Sequence, residues 1–311
     1  MPLLRSSAEL LLSQLLNDHA VARLTQQFAI DVGYMPSSGE VRSWRSSLPV
    51  LMADLAEAGL ADVEVLVEHR LPRSSKRTDV ILAGNHAKSG APTYLVVELK
   101  QWSRAAADPE DHDLVTVDAY GSRPVLHPGK QVQNYVHYMR DFLKVLEAEP
   151  QAVGGAAYLH NASEAGVSTL RRRAETAESR LFTGDERGRW LEYLTTRFAA
   201  ESGADAADRL LGSVVAPSKQ LMTLAAQEIQ EREQFVLLDE QEVAYRLVLN
   251  AVRQSVRSDH KSVVIVTGGP GSGKSVIALS LLGELFRQGR TAEHATGSKA
   301  FTETLRRVAG R

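Results

Sequence analysis

The sequence contains no cysteine in its 311 residues. This absence excludes disulfide bonds, zinc–thiolate sites and cysteine nucleophiles, and it agrees with a reducing compartment, so we expect a cytoplasmic protein. No apolar run approaches the roughly 20 residues that a membrane-spanning helix requires, so we expect no membrane partner. Histidines number only 9, and none has the H-x-E or H-E-x-x-H spacing of a metal site. These absences leave a soluble protein whose chemistry depends on carboxylates, lysines and glycine-rich loops.

The most specific motif begins where the apolar run SVVIVTGG (262–269) meets PGSGKS (270–275). A G-x-x-x-x-G-K-[ST] loop between a buried strand and a helix turns consecutive backbone N–H groups toward phosphates. Lys274 then reaches the terminal phosphates, and the Ser275 hydroxyl coordinates Mg²⁺. We therefore predict an ATP site. Its residues are Gly268, Gly269, Pro270, Gly271, Ser272, Gly273, Lys274 and Ser275.

The segment FVLLDEQEVAYRLVLNAV (235–252) resembles the Q-motif entry of superfamily 1 helicases. By that resemblance Gln241 hydrogen-bonds the adenine, and a helix follows with Val243, Leu247 and Val248 at helical spacing. The alternative is an ordinary strand and capping turn with a solvated Gln241. The segment ATGSKAFTETLR (295–306) resembles motif Ia of the Schlafen-group-3-like DNA/RNA helicases, which contacts the nucleic-acid backbone.

Only 36 residues follow Ser275, and they contain no later strand that ends in an acidic residue. A P-loop NTPase uses such a residue to hold Mg²⁺ and to position water. We therefore expect an incomplete P-loop NTPase (RecA-like) domain that binds ATP and hydrolyses it poorly or not at all. Residues 250–311 carry a net charge of +6 and the preceding residues −8, which favours phosphate partners for the C-terminal segment.

The first two-thirds of the chain predict a mixed α/β domain. Turn residues separate short β-branched runs, and one long amphipathic segment begins at Pro128. A serine N-cap at 37 or 38 starts a helix in which Pro49 introduces a kink or break. The predicted strands are 62–71, 78–84, 93–102, 153–161 and 180–185, and the amphipathic helix is 128–149. The predicted segments are 1–35 (helical), 36–200 (one domain), 201–234 (helical connector) and 235–311 (motor fragment).

Three polar side chains stand at neighbouring positions of these strands. Asp79 opens the second strand, and Glu98 and Lys100 lie two apart on the third, so the latter two share a face. Carboxylate oxygens suit Mg²⁺ or Mn²⁺, which polarises a phosphate and activates water. Lys100 then orients the water or stabilises developing charge. Glu40, on the preceding helix, is a further candidate ligand, so the predicted metal set is Asp79, Glu98 and Glu40.

The order helix, three strands, helix, strand, with D-x18-E-x-K, resembles the PD-(D/E)xK nuclease superfamily. Gln131 and Tyr135 form a Q-x-x-x-Y pattern on the following helix, as in the RecB-type branch. The resemblance implies a restriction-endonuclease-like α-β-β-β-α-β core and metal-dependent phosphodiester hydrolysis. It also implies the catalytic set, which is Asp79, Glu98, Lys100, Gln131 and Tyr135.

The D-x18-E-x-K pattern is loose, and an exposed Glu–Lys pair at a strand end explains it equally when it stands alone. Glu68 is expected to be an outward-facing strand residue, and Trp102 to pack in the core. The sequence thus favours a nuclease coupled to an incomplete ATP-binding motor, with nucleic acid as partner and DNA favoured over RNA. The alternative is a non-cleaving nucleic-acid-binding or nucleotide-sensing scaffold of a defence or repair system. The sequence leaves the oligomeric state open.

Overall fold

The chain divides into two units, Met1–Ala216 and Pro217–Arg311, in a computed structural model. The structure describes residues 1–118, 123–216, 236–258 and 261–297. The first unit is a mixed α/β fold built around a six-stranded sheet.

The six-stranded sheet has the strand order β1-β2-β3-β4-β8-β9. Strands β1 to β4 pair antiparallel, whereas β8 and β9 extend the sheet in parallel from β4. A second sheet has the order β5-β6-β7. The strands are β1 (Leu4–Ser7), β2 (Glu64–Arg70), β3 (Arg77–Asn85), β4 (Pro92–Lys100), β5 (Ala105–Ala107), β6 (Leu114–Val117), β7 (Val125–Leu126), β8 (Val153–Leu159) and β9 (Arg180–Thr183).

Eight α-helices belong to the described part of the first unit. They are α1 (Ala8–Leu16), α2 (His19–Val32), α3 (Ser38–Glu57), α4 (Pro128–Phe142), α5 (Lys144–Ala148), α6 (Glu164–Val167), α7 (Arg187–Arg197) and α8 (Ala204–Leu211). Helix α3 begins with a capping box in which Ser37 and Glu40 bond each other's backbone N–H groups. Helix α4 begins at Pro128, as predicted, with His127 as its N-cap.

The two faces of the large sheet are covered by different helices. One face packs against α1, α2, α3 and α7 through a large apolar cluster. In this cluster the Trp190 ring stacks on Tyr158 with the centroids 5.0 Å apart. Helix α4 packs on the other face, against β4 and β8. Both faces of β3, β4 and β8 are therefore buried, which explains their nearly continuous apolar sequences.

The predicted order of elements, a helix, three strands, a helix and a strand, is observed as α3, β2, β3, β4, α4 and β8. Three local predictions need correction. The N-terminal segment is not only helical, because β1 pairs with β2. Pro49 does not break α3, which continues to Glu57. The predicted helix 128–149 is interrupted at Leu143, whose backbone is extended.

The second unit contains α9 (Glu240–Ser258) and α10 (Lys274–Arg287) among its described residues. These two helices share a small apolar cluster that includes Tyr245, Leu249 and Ile277. Of the predicted apolar positions of α9, Val243 and Val248 are half-buried, whereas Leu247 is 39% exposed; the buried positions are Tyr245 and Leu249. Side chains four apart, on the face toward α10, form the contact instead.

None of the helices in the described ranges is both long and apolar enough to cross a bilayer.

We predict that Gly155→Ala destabilises the first unit. Gly155 lies on β8 opposite Val96, and an added Cβ would stand 2.3 Å from the Glu178 carbonyl oxygen and 3.1 Å from the Val132 side chain. Backbone cannot yield as a flexible side chain can, so we expect the free energy of unfolding to fall by about 1–3 kcal/mol.

Urea unfolding followed by tryptophan fluorescence measures this change, because all three tryptophans, Trp44, Trp102 and Trp190, lie in the first unit. The control is Gly188→Ala on α7, where nothing lies within 4 Å of the added Cβ. An equal loss in both variants would contradict the packing argument.

Candidate functional site

Asp79 and Glu98 stand one position beyond the last regular pair of β3 and β4. Val80 lies opposite Val97; Asp79 precedes Val80 on β3, and Glu98 follows Val97 on β4. The Leu99 backbone N–H donates a 2.8 Å hydrogen bond to Asp79 Oδ2. The Asp79 side chain is therefore fixed against the β4 backbone between Glu98 and Lys100.

Glu98 and Lys100 form an ion pair with 2.6 Å between Lys100 Nζ and Glu98 Oε1. The Glu98 side chain is only 3% exposed and that of Lys100 is 19% exposed. Leu99 packs with α3 in the large cluster, so alternation turns Glu98 and Lys100 to the face that α4 covers. The Lys100 ammonium also lies 5.5 Å from the ring centroid of Trp102, which is buried as predicted.

Gln131 and Tyr135 contact each other on α4. Gln131 Nε2 donates to the Tyr135 hydroxyl at 2.9 Å, and the Tyr135 side chain is buried. One helical turn therefore brings the two members of the Q-x-x-x-Y pattern together. Their helix covers the same face of the sheet as Glu98 and Lys100.

Glu40 has a structural role in the first turn of α3. Its Oε2 accepts a 2.7 Å hydrogen bond from the Ser37 backbone N–H, and its own N–H donates to Ser37 Oγ at 3.2 Å. This reciprocal pair satisfies two donors that helix formation leaves open. Its use as a metal ligand stays a prediction, and it would require the capping bond to Ser37 to be given up or shared.

Glu68 is the residue whose environment the sequence did not reveal. It was expected to face outward, yet Trp44 Nε1 donates a 2.8 Å hydrogen bond to Glu68 Oε1. Its φ angle is +51°, a left-handed value that costs an L-residue roughly 1–2 kcal/mol. The ladder of β2 and β3 pairs Val67 and His69 but omits Glu68. An irregular residue in the strand therefore turns this carboxylate toward α3.

A cavity of about 20 Å³ lies beside Glu68 and Asp79. Its other walls come from α3 and from Leu99; they are Ser43, Trp44, Ser47, Leu48 and Leu99. This volume has room for about one water molecule. The cavity is lined by both polar and apolar side chains, and Glu68 and Asp79 are its two carboxylates.

Burial raises the pKa of Glu68 to about 7, and the nearby Asp79 carboxylate adds to the rise. The Trp44 hydrogen bond and the Arg77 charge act in the opposite direction, and Glu40 contributes a weaker rise. Glu68 therefore holds its proton at a pH where an exposed glutamate has lost it.

The described ranges hold no group of three acidic or histidine side chains arranged for a metal ion. Two of the three predicted ligands, Asp79 and Glu98, nevertheless flank the same residue, Leu99. Mg²⁺ keeps several waters and often takes only one or two carboxylates from the protein. Carboxylate oxygens are ligands that Mg²⁺ and Mn²⁺ accept, and a cation at this pair stays a prediction.

In the predicted phosphate loop, the side chain of Lys274 hydrogen-bonds to other residues of the same loop. Lys274 Nζ donates to the carbonyl oxygens of Gly268 and Gly269 at 2.7 Å each and to Ser272 Oγ at 3.2 Å. Gly271 and Gly273 have φ angles of +74° and +85°, which glycine adopts at no steric cost. Helix α10 starts at Lys274, so its positive N-terminal end points into the loop.

Gln241 contacts the phosphate loop directly. Its Nε2 donates to the Ser272 carbonyl at 3.0 Å, and its Oε1 accepts from the Leu238 backbone N–H at 3.2 Å. Gly273 permits this approach, because an added Cβ would stand 2.4 Å from Gln241 Nε2. The amide thus connects the start of α9 to the loop.

The apolar run before the loop is not a buried strand in the structure. Val263 and Ile265 are 87% and 81% exposed, and residues 261–269 have no regular secondary structure. A strand needs a neighbour for its backbone hydrogen bonds, and the described part of this unit contains none. The motif Ia-like segment 295–306 lies largely outside the described residues.

A family model for the Schlafen group 3, DNA/RNA helicase domain matches residues 261–311. The match includes the phosphate loop and α10 but much less than half of the chain. No curated protein and no solved structure matches the chain. Over its C-terminal segment the chain is therefore similar to a DNA/RNA helicase domain, which points to a function that involves nucleic acid.

We predict that Glu68→Gln changes how stability depends on pH. The folded pKa of about 7 lies above the ordinary value of 4.5, so the stabilising contribution of the protonated form is complete below about pH 4.5. It is lost as the pH rises through 7. The glutamine keeps an acceptor for Trp44 and carries no charge, so the free energy of unfolding at pH 8 should rise by about 3 kcal/mol.

Urea unfolding at pH 5, 6, 7 and 8, followed by tryptophan fluorescence, measures this difference. Glu192→Gln, at an exposed position on α7, is the control and should reproduce the native pH profile. If the free energies of unfolding of Glu68→Gln and the native protein differ by the same amount at all four pH values, burial does not raise the pKa of the Glu68 carboxyl group.

Proposed function

We propose that this protein is a metal-dependent nuclease whose first unit hydrolyses phosphodiester bonds, joined to an ATP-binding segment of helicase type. One observation supports the nuclease most directly. Asp79 is hydrogen-bonded to the β4 backbone between Glu98 and Lys100, within the order α3, β2, β3, β4, α4 and β8. That order and those residues are what the PD-(D/E)xK resemblance requires.

Asp79 and Glu98 would hold the divalent cation in this proposal. When bound, Mg²⁺ or Mn²⁺ polarises the scissile phosphate and lowers the pKa of a water molecule. Both carboxylates already have fixed positions, Asp79 through the Leu99 amide and Glu98 through Lys100. Fixed ligands lose little conformational entropy when the ion and the substrate bind.

Lys100 supplies positive charge where the phosphate gains negative charge. Its ammonium group has three donors, of which one bonds Glu98 Oε1. Because the side chain is partly exposed, a water or a phosphate oxygen can approach the ammonium group. Gln131 and Tyr135, bonded to each other on α4, would orient the substrate strand on the same face of the sheet.

The Glu98–Lys100 ion pair also suits a second candidate, a non-cleaving nucleic-acid-binding or nucleotide-sensing scaffold. A buried carboxylate that a neighbouring ammonium neutralises needs no metal for its stability. In that case Asp79, Glu98 and Lys100 would form only a structural network at the end of the strands.

We predict metal-dependent cleavage of nucleic acid by the full chain, with DNA cut faster than RNA. The assay uses end-labelled single-stranded and double-stranded DNA and RNA with Mg²⁺, Mn²⁺ or EDTA. Lys100→Ala and Glu98→Gln should each lower the rate by about 100-fold or more, because each removes a group that acts on the transition state.

Lys88→Ala is the control for a lost surface lysine, since Lys88 is exposed in the turn between β3 and β4, at the other end of these strands. Cleavage that survives both active-site substitutions would reject the assignment. Binding without cleavage of any substrate would favour the scaffold.

We predict that the full chain binds ATP in the presence of Mg²⁺ and that Lys274→Ala weakens binding roughly 10–100-fold. The loss corresponds to one or two charge-assisted hydrogen bonds to phosphate. Binding is measured by fluorescence of a labelled ATP analogue with unlabelled ATP as competitor. Lys261→Ala, exposed just before the apolar run, is the control. Equal affinity in the native protein and Lys274→Ala would refute the phosphate site.

A further inference from the structure

The loop between β2 and β3 joins the two strands that hold Glu68 and Asp79. Arg70 follows Glu68 by two positions, and Arg77 precedes Asp79 by two. The segment between them, LPRSSK, adds Arg73 and Lys76. Four cationic residues therefore fall within eight positions, and both ends of the loop are adjacent to the acidic site.

Hydrogen bonds within the loop and to α4 define its conformation. Leu71 N–H donates to the Lys76 carbonyl at 2.9 Å, and Ser74 N–H donates to the Leu71 carbonyl at 3.2 Å. Arg70 Nε donates to the Ser74 carbonyl at 2.8 Å. From α4, the Tyr138 hydroxyl donates to the Pro72 carbonyl at 2.9 Å. The loop is therefore fixed to the helix that carries Gln131 and Tyr135.

Two of the guanidinium groups are directed to solvent. Arg70 and Arg73 are exposed, and neither has a carboxylate within ion-pair distance in the part of the chain that the structure describes. Arg77 differs, because its guanidinium lies 4.7 Å from the ring centroid of Phe28 and its charge acts on Glu68. Arg70 and Arg73 are thus two exposed arginines of the loop that an external anion can reach.

We propose that Arg70 and Arg73 bind the phosphate backbone of the nucleic acid on which the acidic site acts. This inference rests on the proposed nuclease function and names the surface that receives its substrate. The partner chemistry is a repeated phosphodiester, bound through its charge and without base recognition.

Electrostatics gives the reason for cations at this position. Asp79 is bonded to the amide of Leu99, the residue after Glu98, and a polyanionic strand that approaches these two carboxylates is repelled unless positive charge flanks the path. A planar guanidinium group presents paired N–H donors that match two oxygens of a phosphate. Because the loop is ordered before the nucleic acid arrives, little entropy is lost on binding.

The experiment measures DNA binding by the full chain in EDTA, where cleavage does not interfere. Fluorescence anisotropy is recorded with a labelled 20-base-pair duplex and with one of its single strands, between 50 and 300 mM salt, roughly the range over which counterion release is resolved. The variants are Arg73→Gln alone and Arg70→Gln/Arg73→Gln. The control is Lys88→Gln, at the opposite end of β3 and β4.

The double variant should bind roughly tenfold more weakly at low salt, with the slope of log affinity against log salt smaller by about two. Arg73→Gln should lower the slope by about one, and Lys88→Gln should leave it unchanged. Arg73 makes no hydrogen bond in the described structure, so this single variant keeps the test valid if loss of the Arg70–Ser74 bond disturbs the loop.

An unchanged slope in both loop variants, or an equal decrease in Lys88→Gln, would overturn the inference. The result is independent of the nuclease assay. Loop-dependent DNA binding without cleavage would support the binding surface and reject the nuclease, whereas cleavage with loop-independent binding would do the reverse.

Discussion

The hydrogen bond between the Leu99 amide and the Asp79 carboxylate is the interaction on which the arrangement of the acidic site depends. It replaces a backbone partner where the regular β3–β4 ladder ends, and it satisfies a buried N–H group. Because the acceptor is a side chain, the end of the ladder becomes an anionic site. Glu98 and Lys100 lie on one side of this contact, and Glu68 lies on the other.

The same end of the sheet contains two carboxylates in opposite electrostatic environments. Glu98 is buried but has the Lys100 ammonium 2.6 Å away, which compensates its charge. Glu68 is buried next to Asp79, and these two effects outweigh the Trp44 hydrogen bond and the Arg77 charge, so its protonated form is favoured. A carboxyl group with a raised pKa and a carboxylate paired with an ammonium group therefore lie near a single residue, Leu99.

The regular parts of this architecture follow from the sequence. The β-branched runs, a serine cap at 37 or 38 and Pro128 predicted α3, β2, β3, β4, α4 and β8 because hydrophobic periodicity and capping are local signals. The sequence also indicated that Glu98 and Lys100 share a face.

The sequence could not predict the buried environment of Glu68, because no sequence pattern marks a left-handed residue inside a strand. Glu40 closes a capping box with Ser37, and its S-x-x-E signature is present in the sequence. The run 262–269 was predicted to be a buried strand but is exposed in the structure. A strand forms only with a neighbouring strand, and the local sequence does not show whether one is present.

The phosphate loop described above is closed by its own ammonium group. Lys274 already has three oxygen acceptors, two of them carbonyl groups of the loop. An anion that binds this lysine must displace these three contacts. The bonds that close the loop and the bonds that an anion would make therefore compete for one ammonium group, so the conformation of the loop depends on what this lysine binds.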